Sequence, residues 1–117
     1  MNPEALVYSV ELTDGAMEDL RAIREYIAEE LRSPTSSRRT VSGILDVADH
    51  LSSMPFRNRR IATTGRGNSI RSARYNNYRL LYLVEAEKVI VFAVLYSASD
   101  VEDRLGRILS KNSEQLD

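Results

Sequence analysis

The stretch from Ser69 to Asp100 constrains this chain more than any other part of it. It reads Ser-Ile-Arg-Ser-Ala-Arg-Tyr-Asn-Asn-Tyr-Arg-Leu-Leu-Tyr-Leu-Val, then Glu-Ala-Glu, then Lys-Val-Ile-Val-Phe-Ala-Val-Leu-Tyr-Ser-Ala-Ser-Asp. β-Branched and aromatic residues dominate it, and two short polar breaks divide it, which predicts three successive antiparallel strands. Asn76-Asn77 suits the centre of a type I′ turn, because asparagine tolerates positive φ. With Ala86-Glu87 as the second turn, Tyr75 faces Tyr78, Arg71 faces Tyr82, Arg74 faces Arg79 and Glu85 faces Lys88. Arg79 then faces Val94, with Tyr96 one diagonal step away. Arg74, Arg79 and Tyr96 are therefore expected to cluster at one end of the sheet, and Arg71 with Tyr82 on its other face.

The flanking segments supply the rest of the fold. Tyr8, Val10 and Leu12 alternate with Ser9 and Glu11, the period of a half-buried strand. Thr13 or Asp14 can cap a following helix, in which Ala16, Leu20, Ile23 and Ile27 share one face to an end near Arg32. Ser33-Pro34 stops that helix and starts another, whose stripe of Val41, Ile44, Leu45, Ala48 and Leu51 runs to about Ser53. The short connector predicts a helical hairpin, closed by Met54-Pro55. Residues from Phe56 to Asn68 show no period and read as a mobile basic connection. Its Gly65-Arg66-Gly67 lacks the lysine and the strand-helix context of a nucleotide-binding loop. Ser99 with Glu102 forms a capping box for a last helix ending near Ser110. Met1 to Leu6 and Lys111 to Asp117 are expected to be flexible ends of a single 117-residue domain. The fold class is α+β: an N-terminal strand plus a three-stranded meander in an antiparallel sheet, covered by the helical hairpin, with a short C-terminal helix.

Composition excludes several chemistries. The chain has no cysteine, and His50 is its only histidine, which argues against disulfides and a zinc centre. No apolar run approaches the roughly 20 residues of a membrane span, and the N-terminus lacks the pattern of a signal peptide. A cytoplasmic protein without cofactor or metal is expected. The net charge of −1 hides an asymmetry, because seven arginines and no acid lie between His50 and Val84 (Arg57, Arg59, Arg60, Arg66, Arg71, Arg74, Arg79). Such a patch fits recognition of phosphates or carboxylates, and it equally fits a solvated loop and strand edge.

In order and spacing the chain resembles the RelE/ParE superfamily of bacterial type II toxins, also called plasmid stabilisation proteins. The resemblance spans Tyr8 to Leu109. It is carried by Arg71, by Tyr78-Arg79-Leu80-Leu81-Tyr82, by the apolar strand Val89 to Leu95 and by Tyr96-Ser97-Ala98-Ser99-Asp100, with the Met54-Pro55 end of the hairpin. It implies a toxin that a cognate antitoxin neutralises in an oligomeric complex, by one of two activities. One branch cleaves messenger RNA on the ribosome, and the ParE-like branch poisons DNA gyrase.

Arg79 matches the arginine that contacts phosphate in that family, and Arg71 or Arg74 can assist it. Ile70 and Ser72 stand where RelE-like ribonucleases carry lysines, and Ser99 and Leu105 where they carry an arginine and a tyrosine. Ser97 and Ala98 replace the histidine and tyrosine of YoeB-like members. ParE-like sequences usually have histidine at the Tyr96 position and arginine at Ser99, so this chain departs there too. The resemblance implies a ParE-like, non-catalytic inhibitor of gyrase whose target-binding residues are Arg66, Arg71, Arg74, Arg79 and Tyr96. A ribosome-dependent endoribonuclease using Arg79, Arg71 and Tyr96 is the alternative.

Overall fold

The computed structural model describes residues 7–116, with side chains through residue 110; the expectation for Met1 to Leu6 lies outside the described residues, as do the side chains of Lys111 to Asp117. Strand β1 (Ser9–Leu12) leads into helix α1 (Asp14–Glu25), which a π-helical turn (Tyr26–Glu30) extends. Helix α2 (Pro34–His50) is followed by β2 (Arg60–Thr63), β3 (Ser69–Tyr75), β4 (Tyr78–Glu85), β5 (Lys88–Tyr96) and helix α3 (Ser97–Leu116). The five strands form one sheet in the order β1-β5-β4-β3-β2.

Local chemistry sets most of these boundaries. The Thr13 hydroxyl caps α1 by accepting the Ala16 amide at 3.2 Å, and Ser33 caps α2 with Pro34 in its first turn. The π-turn adds a residue to the end of α1: the Leu31 amide reaches the Tyr26 carbonyl, and Arg32 then turns the chain at φ 51°. Helix α2 ends at His50, and turns carry the chain through Ser53, where the hydrophobic stripe predicts helix. Leu45, expected in that stripe, is exposed; Ile44, Ala48 and Leu51 are buried.

The meander exists with the expected pairs Arg71–Tyr82, Arg74–Arg79, Tyr75–Tyr78 and Glu85–Lys88. Three features depart from expectation. Positive φ occurs at Asn76 but not at Asn77, so this turn is not the expected type I′, which needs it at both central positions; the second turn likewise has positive φ at Ala86 alone. Strand β1 pairs parallel to β5, from which the helical hairpin and strands β2 to β4 all separate it in sequence, so no tight turn has to join the two. The supposed mobile connection contains β2, a short edge strand on β3 whose register shifts between Arg60 and Ala62 and so gives no clean alternation in sequence.

A β-bulge in β5 changes the register that matters most. Leu81 pairs with Ala93 but Tyr82 pairs with Val91, so Phe92 is the extra residue and Arg79 faces Leu95 rather than Val94. Phe92 and Ala93 both turn to one face, and every residue beyond them swaps sides relative to strict alternation. Helix α3 begins at Ser97, whose hydroxyl accepts the Asp100 amide at 3.4 Å, so Ser97 rather than Ser99 is the cap. That helix runs to Leu116, beyond the expected end near Ser110.

Two cores result. The helical hairpin packs Ala16, Leu20, Ile44, Ala48 and Leu51 on a sheet face of Ala73, Leu80, Tyr82, Val89, Val91 and Val94. On the opposite face Ile70, Leu81, Ala93 and Leu95 lie beneath Val101 and Leu105 of α3. Gly43 marks a close contact of the first core, since a Cβ there would overlap the ring end of Tyr75. Gly43→Ala should destabilise the protein by roughly 1–3 kcal/mol through overpacking. In a Tyr75→Ala background the same change should stabilise, because alanine is the better helix former by about 1 kcal/mol. Denaturant unfolding of the four proteins checks this, and the same sign in both backgrounds would refute the steric account.

Candidate functional site

The sheet is five strands wide at one end and three at the other. Strand β1 ends opposite Val91 and β2 begins opposite Arg71, so the half bearing Tyr75, Tyr78 and Tyr96 has no outer strands. On the face turned to the hairpin these tyrosines form a row. Tyr78 pairs with both Tyr75 and Tyr96, and the Tyr78 and Tyr96 rings meet edge-on with centroids 5.2 Å apart. Tyr96 is half exposed, and its hydroxyl accepts a long bond of 3.5 Å from Asn77.

Two other phenols are tied to structure. Tyr82 is fully buried, donates to the Pro55 carbonyl at 2.6 Å and accepts from Asn58 at 3.2 Å, so its hydroxyl ties β4 to the connection after α2. Burial raises the Tyr82 pKa, against smaller lowering effects of Asn58 and Arg71. Burial, then the Tyr96 and Tyr26 phenols, raise that of Tyr78. An acid whose pKa is raised by folding binds its proton longer in the native state, so stability falls once pH passes the unfolded value of 10.0. Unfolding free energy should therefore decline above about pH 10 more steeply than in a Tyr78→Phe/Tyr82→Phe variant. Parallel declines in urea titrations at pH 8–11 would count against it.

The arginines separate into different roles. Arg71 is committed to the fold: it donates to the Asn58 carbonyl at 2.6 Å and lies 5.2 Å from the centre of the Phe56 ring. Arg66 is exposed in the β2–β3 loop, which hydrogen bonds between Thr64 and Asn68 close around Gly67. Arg74 and Arg79 sit directly opposite each other on the face covered by α3, with Arg74 Nε donating to the Asn76 carbonyl at 2.7 Å and half-buried Arg79 to the Tyr78 carbonyl at 3.4 Å. The sheet lies between this pair and Tyr96. The expected cluster of Arg74, Arg79 and Tyr96 therefore does not form, and the Phe92 bulge is the cause. Like charges directly opposite one another disfavour pairing. Among the described residues the ion pairs use Arg21, Lys88 and Arg104, and none uses the arginine-rich segment.

Around Arg79 the sheet offers hydrocarbon. Ile70 is fully buried, and Leu105 packs on the same cluster, so two positions where the resemblance places nuclease residues belong to the second core. Among the described residues no group of three histidine, cysteine or carboxylate side chains could hold a metal ion.

On the other side of the molecule α1, its π-turn and the open edge of β5 bound a groove of about 490 Å³. Its walls include Ile23, Tyr26, Ile27, Leu31, Leu95 and Tyr96, of which Tyr26, Leu31 and Tyr96 are more than half exposed. Asp19 closes one flank. Its carboxylate accepts the Val94 amide at 2.9 Å, which the strand edge leaves without a neighbour, and binds Arg104 of α3 at 3.2 Å. Neither role of Asp19 is legible in the sequence, because its partners lie 75 and 85 residues away.

Comparison with known proteins agrees with this architecture. Several solved structures share the fold, among them two from toxin–antitoxin systems. A chain of the chromosomal ParDE toxin–antitoxin system from P. aeruginosa matches with TM-score 0.66 and 16% identity, over 78% of this chain and 97% of that one. A chain of the RelBE2 toxin–antitoxin complex from Mycobacterium tuberculosis matches with TM-score 0.60 and 23% identity, over 81% and 97%. Searching curated proteins gives no match. The family model of the ParE toxin of the type II toxin–antitoxin system parDE matches residues 10–101, from the first strand to the start of α3, so this chain belongs to the ParE toxin family.

Proposed function

We propose that this ParE toxin acts without catalysis, by binding and inhibiting DNA gyrase, and that a cognate antitoxin holds it inactive. The observation that carries the reading is the surface around Arg79. Cutting RNA by attack of a 2′-hydroxyl needs a base and an acid beside the cationic donors. The Arg74–Arg79 pair supplies the donors, but its neighbours Ile70, Leu81 and Leu95 are hydrocarbon. Tyr96, the remaining acid–base candidate, points to the opposite face. The arrangement suits a surface that grips an anionic or acidic partner and leaves its bonds intact.

The groove supports the antitoxin half of the proposal. Exposed Tyr26, Leu31 and Tyr96 around an apolar floor suit the apolar side of an amphipathic helix. The two solved structures described above come from toxin–antitoxin systems. Both partners place the protein in the cytoplasm, and no helix among the described residues is long and apolar enough to cross a membrane. A supercoiling assay with purified gyrase tests the target. Inhibition that the antitoxin reverses is expected, and unaffected gyrase at stoichiometric excess of toxin would defeat the proposal.

A further inference from the structure

The groove between α1, the π-turn and β5 is lined by two kinds of surface. Ile23, Ile27 and Leu31 are aliphatic, whereas Tyr26, Tyr78 and Tyr96 bring three phenol rings to it. The Tyr78 and Tyr96 rings stand edge to face, and Tyr26 and Tyr96 are exposed. Burial first, and then the Tyr96 and Tyr26 phenols, raise the Tyr78 pKa, so the three rings lie within electrostatic reach of one another.

Its charge has one sign. The carboxylates that line the groove belong to Asp19 and Asp100, and no base lines it among the described residues. Asp19 is neutralised, because both its oxygens bind Arg104 and one also accepts the Val94 amide. Asp100 is exposed in the first turn of α3, where the helix dipole favours its ionised form, and it makes no ion pair among the described residues. Aliphatic side chains of a partner would cover the floor but leave this carboxylate and the ring faces desolvated without a partner. A guanidinium answers both: it is a flat cation that stacks on the electron-rich faces of aromatic rings, and its forked donors match a carboxylate. A lysine ammonium supplies the charge without the stacking plane.

We infer that the antitoxin helix seated in this groove carries an arginine whose guanidinium lies among the rings of Tyr26, Tyr78 and Tyr96 and donates to Asp100. The inference rests on the antitoxin reading of the groove and adds to it the chemistry of one side chain that the partner must present. The aliphatic walls hold the apolar side of the helix, and the ring-and-carboxylate pocket selects one cation at a fixed point along it.

The test measures the affinity of the full chain for its antitoxin with leucine or phenylalanine at position 26. Leucine keeps apolar area without a ring face, and phenylalanine keeps the face without the hydroxyl. Tyr26→Leu should weaken binding about ten-fold and Tyr26→Phe less than about three-fold. Asp100→Asn should also weaken it about ten-fold. Replacing each basic residue of the antitoxin in turn by methionine should reveal one arginine whose loss weakens binding about ten-fold to the unmodified chain and scarcely at all to Tyr26→Leu. Tyr26 is exposed, so its variants should keep the parent melting temperature. Tyr96→Leu against Tyr96→Phe repeats the comparison should Tyr26→Leu lower it. Equal losses for leucine and phenylalanine would assign the contact to the hydroxyl, and no loss for either would assign it to apolar packing. Either result, or the absence of any arginine coupled to Tyr26, would overturn the inference in a complex that still forms. Failure of the unmodified chain to bind antitoxin would overturn the antitoxin reading and the inference with it.

Discussion

Asp19→Ala is expected to lower the free energy of unfolding by about 2–3 kcal/mol, a large loss for one surface-proximal carboxylate. Most acids on an exposed helix contribute a few tenths of a kcal/mol. Asp19 differs because three elements converge on it: it belongs to α1, satisfies the Val94 amide of β5 and pairs with Arg104 of α3. Its side chain is 18% exposed and that of Arg104 27%, so water screens the pair only in part. Removal leaves a strand amide and a guanidinium without their acceptor. Asp19→Asn keeps an acceptor for the amide and loses the charge, so it should cost about 1 kcal/mol. Chemical denaturation of the three proteins decides the matter, and a loss below about 0.5 kcal/mol in the alanine variant would reduce Asp19 to an ordinary surface acid.

Arg79→Ala should abolish most toxicity, whereas Arg57→Ala should leave it close to that of the parent. Arg79 is half-buried on the central strand β4, with its guanidinium held beside the Tyr78 carbonyl, while Arg57 is exposed on the connection before β2. Placement on a rigid strand lowers the entropy of ordering the side chain at a partner. Truncating one member of a desolvated charged hydrogen bond costs about 3 kcal/mol, which corresponds to roughly a hundred-fold in affinity. Colony counts after induced expression should rise by a similar factor for Arg79→Ala at unchanged melting temperature. Equal growth arrest by the parent and both variants would remove the arginine from the mechanism.

How far the sequence reveals this molecule depends on the range of the interactions involved. Caps, the hairpin stripe and the β3–β4 register are local, and Thr13, Ser33 and the Arg74–Arg79 pair occupy their expected places. Strand β2 is invisible to periodicity because it is four residues long, lies on an edge and contains a shift in register. The Phe92 bulge leaves no trace in Val-Ile-Val-Phe-Ala-Val-Leu, where every residue is apolar and no alternation exists to be broken. That one undetected residue misplaces Tyr96, and with it the candidate site. The groove is hidden for a related reason: its exposed Tyr26 opens the π-turn and Leu31 follows it, and a 3.6-residue period cannot register the extra residue between them.

The π-turn and the bulge share a consequence. Each adds one residue to an otherwise regular element, and the two meet across the same groove, where they direct Tyr26 from one wall and Tyr96 from the other. Sliding either element by one position would replace its tyrosine with a neighbour of different chemistry while leaving the sheet order intact. On the proposal that the groove takes the antitoxin, partner choice would be coupled to insertion and deletion as well as to substitution. Two proteins with the same fold and similar composition can present unrelated grooves through a single codon gained or lost.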